Sequence, residues 1–483
     1  MNYSIRCIGL FLFLALVMTG CAQVPKEAGF SNVEELVGQR VDYRLHWNQG
    51  TEADREVEKA IEELLKVKLT PEAVIQIALL NNPNLQAVYE ELGITQADVV
   101  EAGLLENPVL FGQARVPNKS EESTNYEFGI TQNFLNILML PARKKLSGIR
   151  FEQVKLHVAD EVIRLVADVR KSYFSTLGAK QIRDLRNEIT LAAGNAFELA
   201  QRLYSAGNIG DLELANEKAH FEQARLELAN SEVALLDGRE KLMRLMGLWG
   251  PQTNWSLPEQ LPDIPADEIS LERLESMAIE NRLDLAAARK EVEALAQALG
   301  ITIDWRWVGQ IEVGISTERE TDRTWVTGPS LAIELPIFNQ RQVDIARLEA
   351  QLRRSQKRLA AQAIEIRSEV RSLRNRLIMQ RNLIDHYRGT VLPLRKQIVD
   401  LTLKKYNYML VGAFDLLMAK QQEFEAYQKY LEAVRDYWVI RADMQRSLGG
   451  RLPTSEQNQS DFQIYPDAAV TVTEENNSAN KIN

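Results

Sequence analysis

The sequence predicts a mainly α-helical protein that also carries strands of a membrane β-barrel, built as two copies of one plan. Three observations carry that expectation. Apolar residues recur every seven positions through a very long stretch of the second half. Pairs of short segments alternate apolar and polar residues, with aromatic residues near their ends. The chain also matches itself at an offset of 200 to 204 residues.

Composition excludes much. The chain has 483 residues, 45% apolar and 26% charged, so it can bury a core. Its net charge of −10 speaks against a nucleic-acid binder. Cys7 and Cys21 are its only cysteines, which excludes a disulfide framework, a zinc ribbon and an iron–sulfur cluster. Four histidines leave little for histidine-based catalysis, and no GxSxG, HExxH, CxxC, GxGxxG or P-loop pattern occurs. No enzyme, cofactor or metal centre is expected.

Residues 1–20 read as a signal peptide: Arg6, an apolar run from Ile8 to Met18, then Thr19-Gly20. The run is too short to span a bilayer, which takes about 20 residues. Cys21 directly after Thr-Gly resembles the bacterial lipobox, in which Cys21 is lipidated and heads the mature chain. Ala22 after it, rather than Asp, points to the outer membrane. Several acyl chains, at about 0.8 kcal/mol per buried CH₂, anchor firmly where one would not. No later segment supplies 18 uncharged apolar residues, so any crossing of the membrane is made by strands.

Self-comparison sets the domain plan. Thr70, Ala78, Asn81, Leu85 and Ala87 match Ser270, Ala278, Asn281, Leu285 and Ala287; Ile130 and Asn136 match Ile333 and Asn339. Tyr204, Asp211, Leu212 and Ala215 match Tyr408, Asp415, Leu416 and Ala419. The expected organisation is an N-terminal lipidated segment 21–68, a first repeat 69–249, a Pro-rich linker 250–268 and a second repeat 269–450. Residues 451–483 are polar and expected to be disordered. Each repeat reads helix, two strands, very long helix, helix, with Asn81-Asn82-Pro83 breaking the first helical region.

Strands are expected at Pro108–Val116 and Asn125–Phe134. In the latter Tyr126, Phe128, Ile130 and Phe134 alternate with Asn125, Glu127, Thr131 and Asn133. In the second repeat Trp305, Trp307, Ile311, Val313 and Ile315 alternate with Arg306, Gln310, Glu312 and Ser316, and a fourth strand follows around Trp325–Leu335. Period two with terminal aromatics is the pattern of transmembrane strands. Soluble hairpins packed on the helices are the alternative. Four strands cannot close a barrel alone, and an open edge is not tolerated in lipid. Three copies pooling their strands give twelve, so a homotrimer is expected.

The heptad runs through Leu352, Leu359, Ile366, Leu373, Gln380, Tyr387, Leu394 and Leu401, interleaved with Ala363, Val370, Leu377, Ile384, Val391 and Ile398. A helix from Asn339 to Tyr408 would run roughly 100 Å, kinked or split at Pro393. Pro141–Tyr204 is its counterpart. Between 339 and 405 sixteen basic residues face six acidic ones, and export makes a solvated coiled-coil face the reading. Short tips at Ser205–Gly210 and Met409–Ala413 turn each long helix back.

The chain thus resembles the TolC-like outer-membrane efflux family, from about Leu69 to Gly450. The carrying residues are Ala78-Leu-Leu-Asn-Asn-Pro83, Tyr204-x-x-Gly207 with Asp211-Leu-x-x-Ala215, Leu335-Pro-Ile-Phe-Asn339, and Tyr406–Lys420 continuing through Glu432-Ala-Val-Arg-Asp-Tyr-Trp438. The resemblance implies a trimer whose twelve-stranded barrel sits on a long α-helical tunnel. It implies docking with a periplasmic adaptor and an inner-membrane pump, hence an exit duct in the outer membrane. It places Asp415 in a ring at the periplasmic entrance and Gly207, Asp211, Leu212, Gly412 and Leu416 at adaptor-contacting tips. Met409 stands where the family has glycine, so Gly412 is expected to supply the left-handed backbone. The long second tip is similar to members found with copper and heavy-metal resistance systems. Met409 and Met418 could offer thioethers to soft ions or merely pack. The competing reading is a periplasmic coiled-coil scaffold lipoprotein without a channel.

Overall fold

A computed structural model describes residues 24–118, 123–266 and 272–453. The signal peptide, Cys21, Ser270 and the tail from residue 454 lie outside the described residues. In chain order the elements are α1 (Phe30–Gly38), α2 (Glu52–Leu65), α3 (Pro71–Asn81), α4 (Pro83–Ala102), β1 (Val109–Arg115), β2 (Asn125–Asn133), α5 (Phe134–Ser205) and α6 (Asp211–Met246). The second repeat follows with α7 (Leu274–Asn281), α8 (Leu283–Asp304), β3 (Ile311–Arg319), β4 (Trp325–Ile333), α9 (Gln342–His386), α10 (Leu392–Asn407) and α11 (Ala413–Ser447).

Local chemistry starts these helices. The Thr70 hydroxyl accepts from the Ala73 amide at 3.2 Å, with Pro71 in the first turn. The Asn82 side chain accepts from Leu85 at 3.0 Å, so the α3–α4 break is an N-cap followed by Pro83. Asn133 caps α5, which therefore begins at Phe134 and carries Pro141 inside it rather than starting there. Its 72 residues span about 110 Å.

The second long helix is divided. A π-helical turn, Tyr387–Val391, separates α9 from α10, with Pro393 just beyond it. Proline cannot donate to the carbonyl four residues back and its ring crowds that carbonyl, here Gly389. The wider turn absorbs the conflict while the axis continues.

Each repeat closes on itself at a glycine. A Cβ on Gly247 (φ +69°) would fall 2.4 Å from the Asn81 carbonyl oxygen, and one on Gly449 (φ +84°) 2.8 Å from that of Asn281. Asn81 and Asn82 donate back to the carbonyls of Met246, Gly247 and Leu245 at 2.8–3.0 Å. The return helices thus end at equivalent points.

Residues 24–68, for which the sequence suggested only a lipidated segment, form a packed strap across α5. Val33, Val37, Trp47 and Ile61 are buried there, and the rings of Phe30, Trp47 and Tyr89 cluster within 5.1–6.5 Å. Arg40 reaches the Asn281 carbonyl of the second repeat at 3.3 Å. The second repeat has its own core, where Ile366, Val370, Leu373 and Leu377 of the heptad meet Leu274, Leu285, Tyr437 and Met444. Farther along the seam the heptad residues Leu394 and Leu401 stay about half exposed, at 52% and 49%.

The four strands form one antiparallel sheet in the order β1-β2-β3-β4, so β2 and β3 join the repeats and β1 and β4 are its edges. One expectation fails here. Trp305 and Trp307 are not in a strand: α8 runs to Asp304, and its last turn closes with the Trp305 amide on the Ile301 carbonyl. Helix-forming residues Ala294–Leu299 carry the helix up to Asp304, and residues 305–307 form the turn that leaves it. β3 starts only after Gly309, where a Cβ would fall 2.2 Å from the Glu334 carbonyl oxygen.

Candidate functional site

Two regions offer chemistry: the sheet and the helix tips. Cross-strand partners share a face, and the register makes one side mainly apolar, though Gln132, Thr317, Arg319 and Thr327 also lie on it, and the other mainly polar, though Val109, Phe111 and Val326 lie there. On one face lie Leu110, Tyr126, Phe128, Ile130, Val313, Ile315, Trp325, Leu331 and Ile333, all exposed. Across the sheet lie Gln113, Arg115, Asn125, Glu127, Glu312, Ser316, Glu318 and Ser330. This polar face is internally bonded. Arg115 pairs with Glu127 at 3.2 Å and approaches Glu318 at 3.9 Å, while Asn125 donates to Glu318. Such a sheet can face hydrocarbon on one side and water on the other. Phe111 covers Gly129 across the ladder and Phe128 covers Gly112, each aromatic filling the space beside a glycine.

The tips are built alike. In the first, the Gly207 amide donates to the Tyr204 carbonyl and the Asn208 amide to Leu203, both at 2.9 Å. In the second, Met409 donates to Tyr406 at 2.8 Å and Leu410 to Lys405 at 2.9 Å. Both are Schellman caps that satisfy the last carbonyls of the long helix. The left-handed residue is Gly207 (φ +74°) in one and Met409 (φ +56°) in the other. Gly412 has φ −82°, so it does not supply the left-handed turn. Met409 takes it despite its side chain, because the two cap bonds hold the backbone there.

The return helices then begin identically. The Gly210 amide donates to Glu213 Oε2 at 3.1 Å, and the Gly412 amide to Asp415 Oδ2 at 2.9 Å. Asp415 therefore corresponds to Glu213, not to Asp211 as the sequence match suggested, and Leu416 to Leu214 rather than Leu212. The signal was available in the sequence: Glu213 follows Tyr204 by nine positions, as Asp415 follows Tyr406. Asp211 does something else. Its carboxylate accepts from the Tyr204 hydroxyl at 2.7 Å, which holds that phenol above its ordinary pKa.

Gly207, Asp211, Gly412 and Asp415 are exposed, Leu212 is 69% exposed, and Leu416 is half-buried. The second tip is the more apolar, with Tyr408, Met409 and Leu410 largely exposed. Among the described residues no cluster of three or more His, Cys, Asp or Glu could hold a metal, and no helix is long and apolar enough to cross a membrane.

Comparison with known proteins adds two kinds of likeness. The family model described as Outer membrane efflux protein matches residues 74–248 and again residues 274–450. The cobalt-zinc-cadmium resistance protein CzcC of Cupriavidus metallidurans is 25% identical over 395 residues, covering 79% of this chain and 90% of that protein. Among solved structures, CusC superposes with a TM-score of 0.66 at 17% identity, covering 80% of this chain and 93% of its own. The CmeC outer membrane channel of Campylobacter jejuni does so with a TM-score of 0.69 at 13% identity, over 90% and 94%.

Proposed function

This chain belongs to the outer membrane efflux protein family, and we propose that it is the exit duct of a tripartite efflux system, passively conducting substrate outward across the outer membrane. It is not an enzyme, and transport energy comes from an inner-membrane pump reached through a periplasmic adaptor. The observation that supports this reading most is the sheet: a mainly apolar face, an ion-paired polar face and two open edges, β1 and β4. Three copies would join those edges into twelve strands, leaving none exposed to lipid. The half-exposed seam at Leu394 and Leu401 would be covered by the same association. Cys21 carries the lipid.

The tips at Gly207, Asp211, Leu212, Gly412 and Leu416 meet the adaptor. Asp415 forms a three-fold ring at the periplasmic entrance. With carboxylates about 6 Å apart and an effective dielectric of 20, each pair repels by roughly 3 kcal/mol, which favours cations there. The polar sheet face carries Glu127, Glu312 and Glu318 against Arg115, also suited to cations. With the likeness to a cobalt-zinc-cadmium resistance protein, this supports metal cations as the substrate class.

Planar-bilayer recording of the purified full-length protein tests the reading. Discrete conductance steps are expected, blocked by multivalent cations, with the block weakened and selectivity moved toward anions in Asp415→Asn. A protein that assembles but never conducts is the scaffold. Conductance with unchanged block in the variant would leave Asp415 as a helix cap and put the constriction elsewhere.

A further inference from the structure

The linker between the repeats builds a separate cavity on the flank of the first. Trp255 and Leu257 are buried, and the Ser256 carbonyl accepts from the Leu69 amide at 2.9 Å, pinning the linker against the start of the first repeat. The cavity, of about 210 Å³, is lined by four cations, Lys68, Lys180, Arg183 and Arg239, against one carboxylate, Glu259.

The pairing leaves the two arginines short of acceptors. Glu259 is already committed: it takes Lys68 at 3.0 Å and Lys180 at 2.9 Å, and these lysines hold its carboxyl down to about 2. Lys180 also donates to the Pro258 carbonyl at 3.0 Å. Arg183 pairs through a terminal nitrogen with Asp184 at 3.0 Å, but its Nε is buried with no partner. Arg239 donates to the Trp255 carbonyl at 3.1 Å while its guanidinium lies 4.0 Å from the centre of the Trp255 ring. Trp255 itself is 5% exposed, and its indole Nε1 is likewise buried without a partner.

Both orphaned atoms can only donate. A buried donor left without an acceptor is unfavourable, and both atoms are closed to the cavity as it stands, so what the site lacks is an acceptor that a shift of these side chains would admit. A further cation or a hydrocarbon would leave that unmet. The excess of positive lining charge asks for a negative acceptor, and guanidinium groups match the planar or tetrahedral oxygens of carboxylate and phosphate. The volume is below the 300–1,000 Å³ or so of pockets that take drug-sized ligands.

We propose that this cavity is a binding site for a small oxyanion, a phosphate or carboxylate group, held by Arg183, Arg239 and the indole of Trp255. Occupation requires small shifts of the Trp255 ring and the Arg183 side chain, which open their buried N–H groups to the ligand. The proposal is independent of the duct reading, since it concerns a cavity between the linker and the helices of one repeat.

Calorimetric titration of the full-length protein in detergent, at constant ionic strength, tests it with inorganic phosphate and, separately, acetate. Saturable binding of at least one is expected, and the two arms tell which oxyanion geometry the site prefers. Arg239→Gln should weaken binding about tenfold or more, as expected for losing a charge-assisted bond. Trp255→Phe keeps the ring under Arg239 and should still weaken binding severalfold. Glu259→Gln should tighten it, because the internal competitor for Lys68 and Lys180 is gone; a merely structural role would not produce that gain. Unchanged circular-dichroism melting in Trp255→Phe and Glu259→Gln shows that folding is not the cause. No heat from either probe up to about 10 mM, a range that would still reveal binding weaker than 1 mM, would overturn the proposal. So would equal binding by all variants.

Discussion

The Asp415 carboxylate accepts a hydrogen bond from the Gly412 amide at 2.9 Å. That bond satisfies one of the free amides at the start of α11 and places a negative charge at the positive end of the helix. Glu213 does the same for Gly210 in the first repeat. The tips are therefore equivalent in backbone but unequal in side chain, with an aspartate at one and a longer glutamate at the other.

The tip glycines separate by backbone. Gly207→Ala puts a Cβ on a left-handed residue and should cost about 1–2 kcal/mol. Met409→Gly should stabilise by about 1 kcal/mol, because the strained side chain is removed. Gly412→Ala should change stability by less than about 0.5 kcal/mol, since its φ is ordinary and the new Cβ meets only Asp415 at 3.6 Å. Thermal midpoints of the three variants check the order. A loss of adaptor capture in Gly412→Ala would then report the docking surface rather than misfolding.

Gly247→Ala should be among the most damaging substitutions in the helical region. It combines positive φ with a Cβ 2.4 Å from the Asn81 carbonyl oxygen, which is backbone and cannot swing aside. The left-handed conformation alone costs about 1–2 kcal/mol, and the clash adds to it. Proteolysis should cut the variant near the α3–α4 junction faster than wild type; equal rates would contradict the packing described.

Half-buried Asp160 on α5 gives a pH dependence. Burial first, and the neighbouring Asp284 carboxylate second, push it up to about 6, against the pull of Arg282 and Arg446. An acid whose folded pKa is raised contributes stability below its unfolded pKa near 3.9, and loses it as pH rises through about 6. Asp160→Asn should therefore stabilise by up to about 3 kcal/mol at pH 7.5 and by little at pH 4. Melting curves across that range test it, and a gain independent of pH would assign the effect to packing instead.

Cys21→Ser should abolish incorporation of radiolabelled palmitate while leaving assembly intact, because the strands anchor the protein independently. If wild type itself takes up no label, the lipobox reading is wrong.

Local periodicities were legible from the sequence by itself, because they record which side of an element is apolar. Alternation located β2, β4 and the Ile311–Ser316 stretch of β3, a strand was also expected where β1 lies, the heptad located the buried run Ile366–Leu377, and Asn82-Pro83 marked a helix break. Pattern cannot say what an element packs against. The strap of residues 24–68 shows this: Val33, Val37 and Trp47 are buried by α4 and α5, distant in sequence. The tips are similar, for exposed residues carry no burial pattern, and chance identities at Asp211 and Leu212 outweighed the cap geometry that pairs Glu213 with Asp415. Trp305 and Trp307 read as strand because two alternating tryptophans look alike in a strand and in a turn leaving a helix. Only the close approach of Gly309 to Glu334 decided where pairing could begin. The linker cavity was invisible for the same reason: Lys68, Arg183, Arg239 and Trp255 share no local pattern, and their meeting depends on how the linker folds back across two helices.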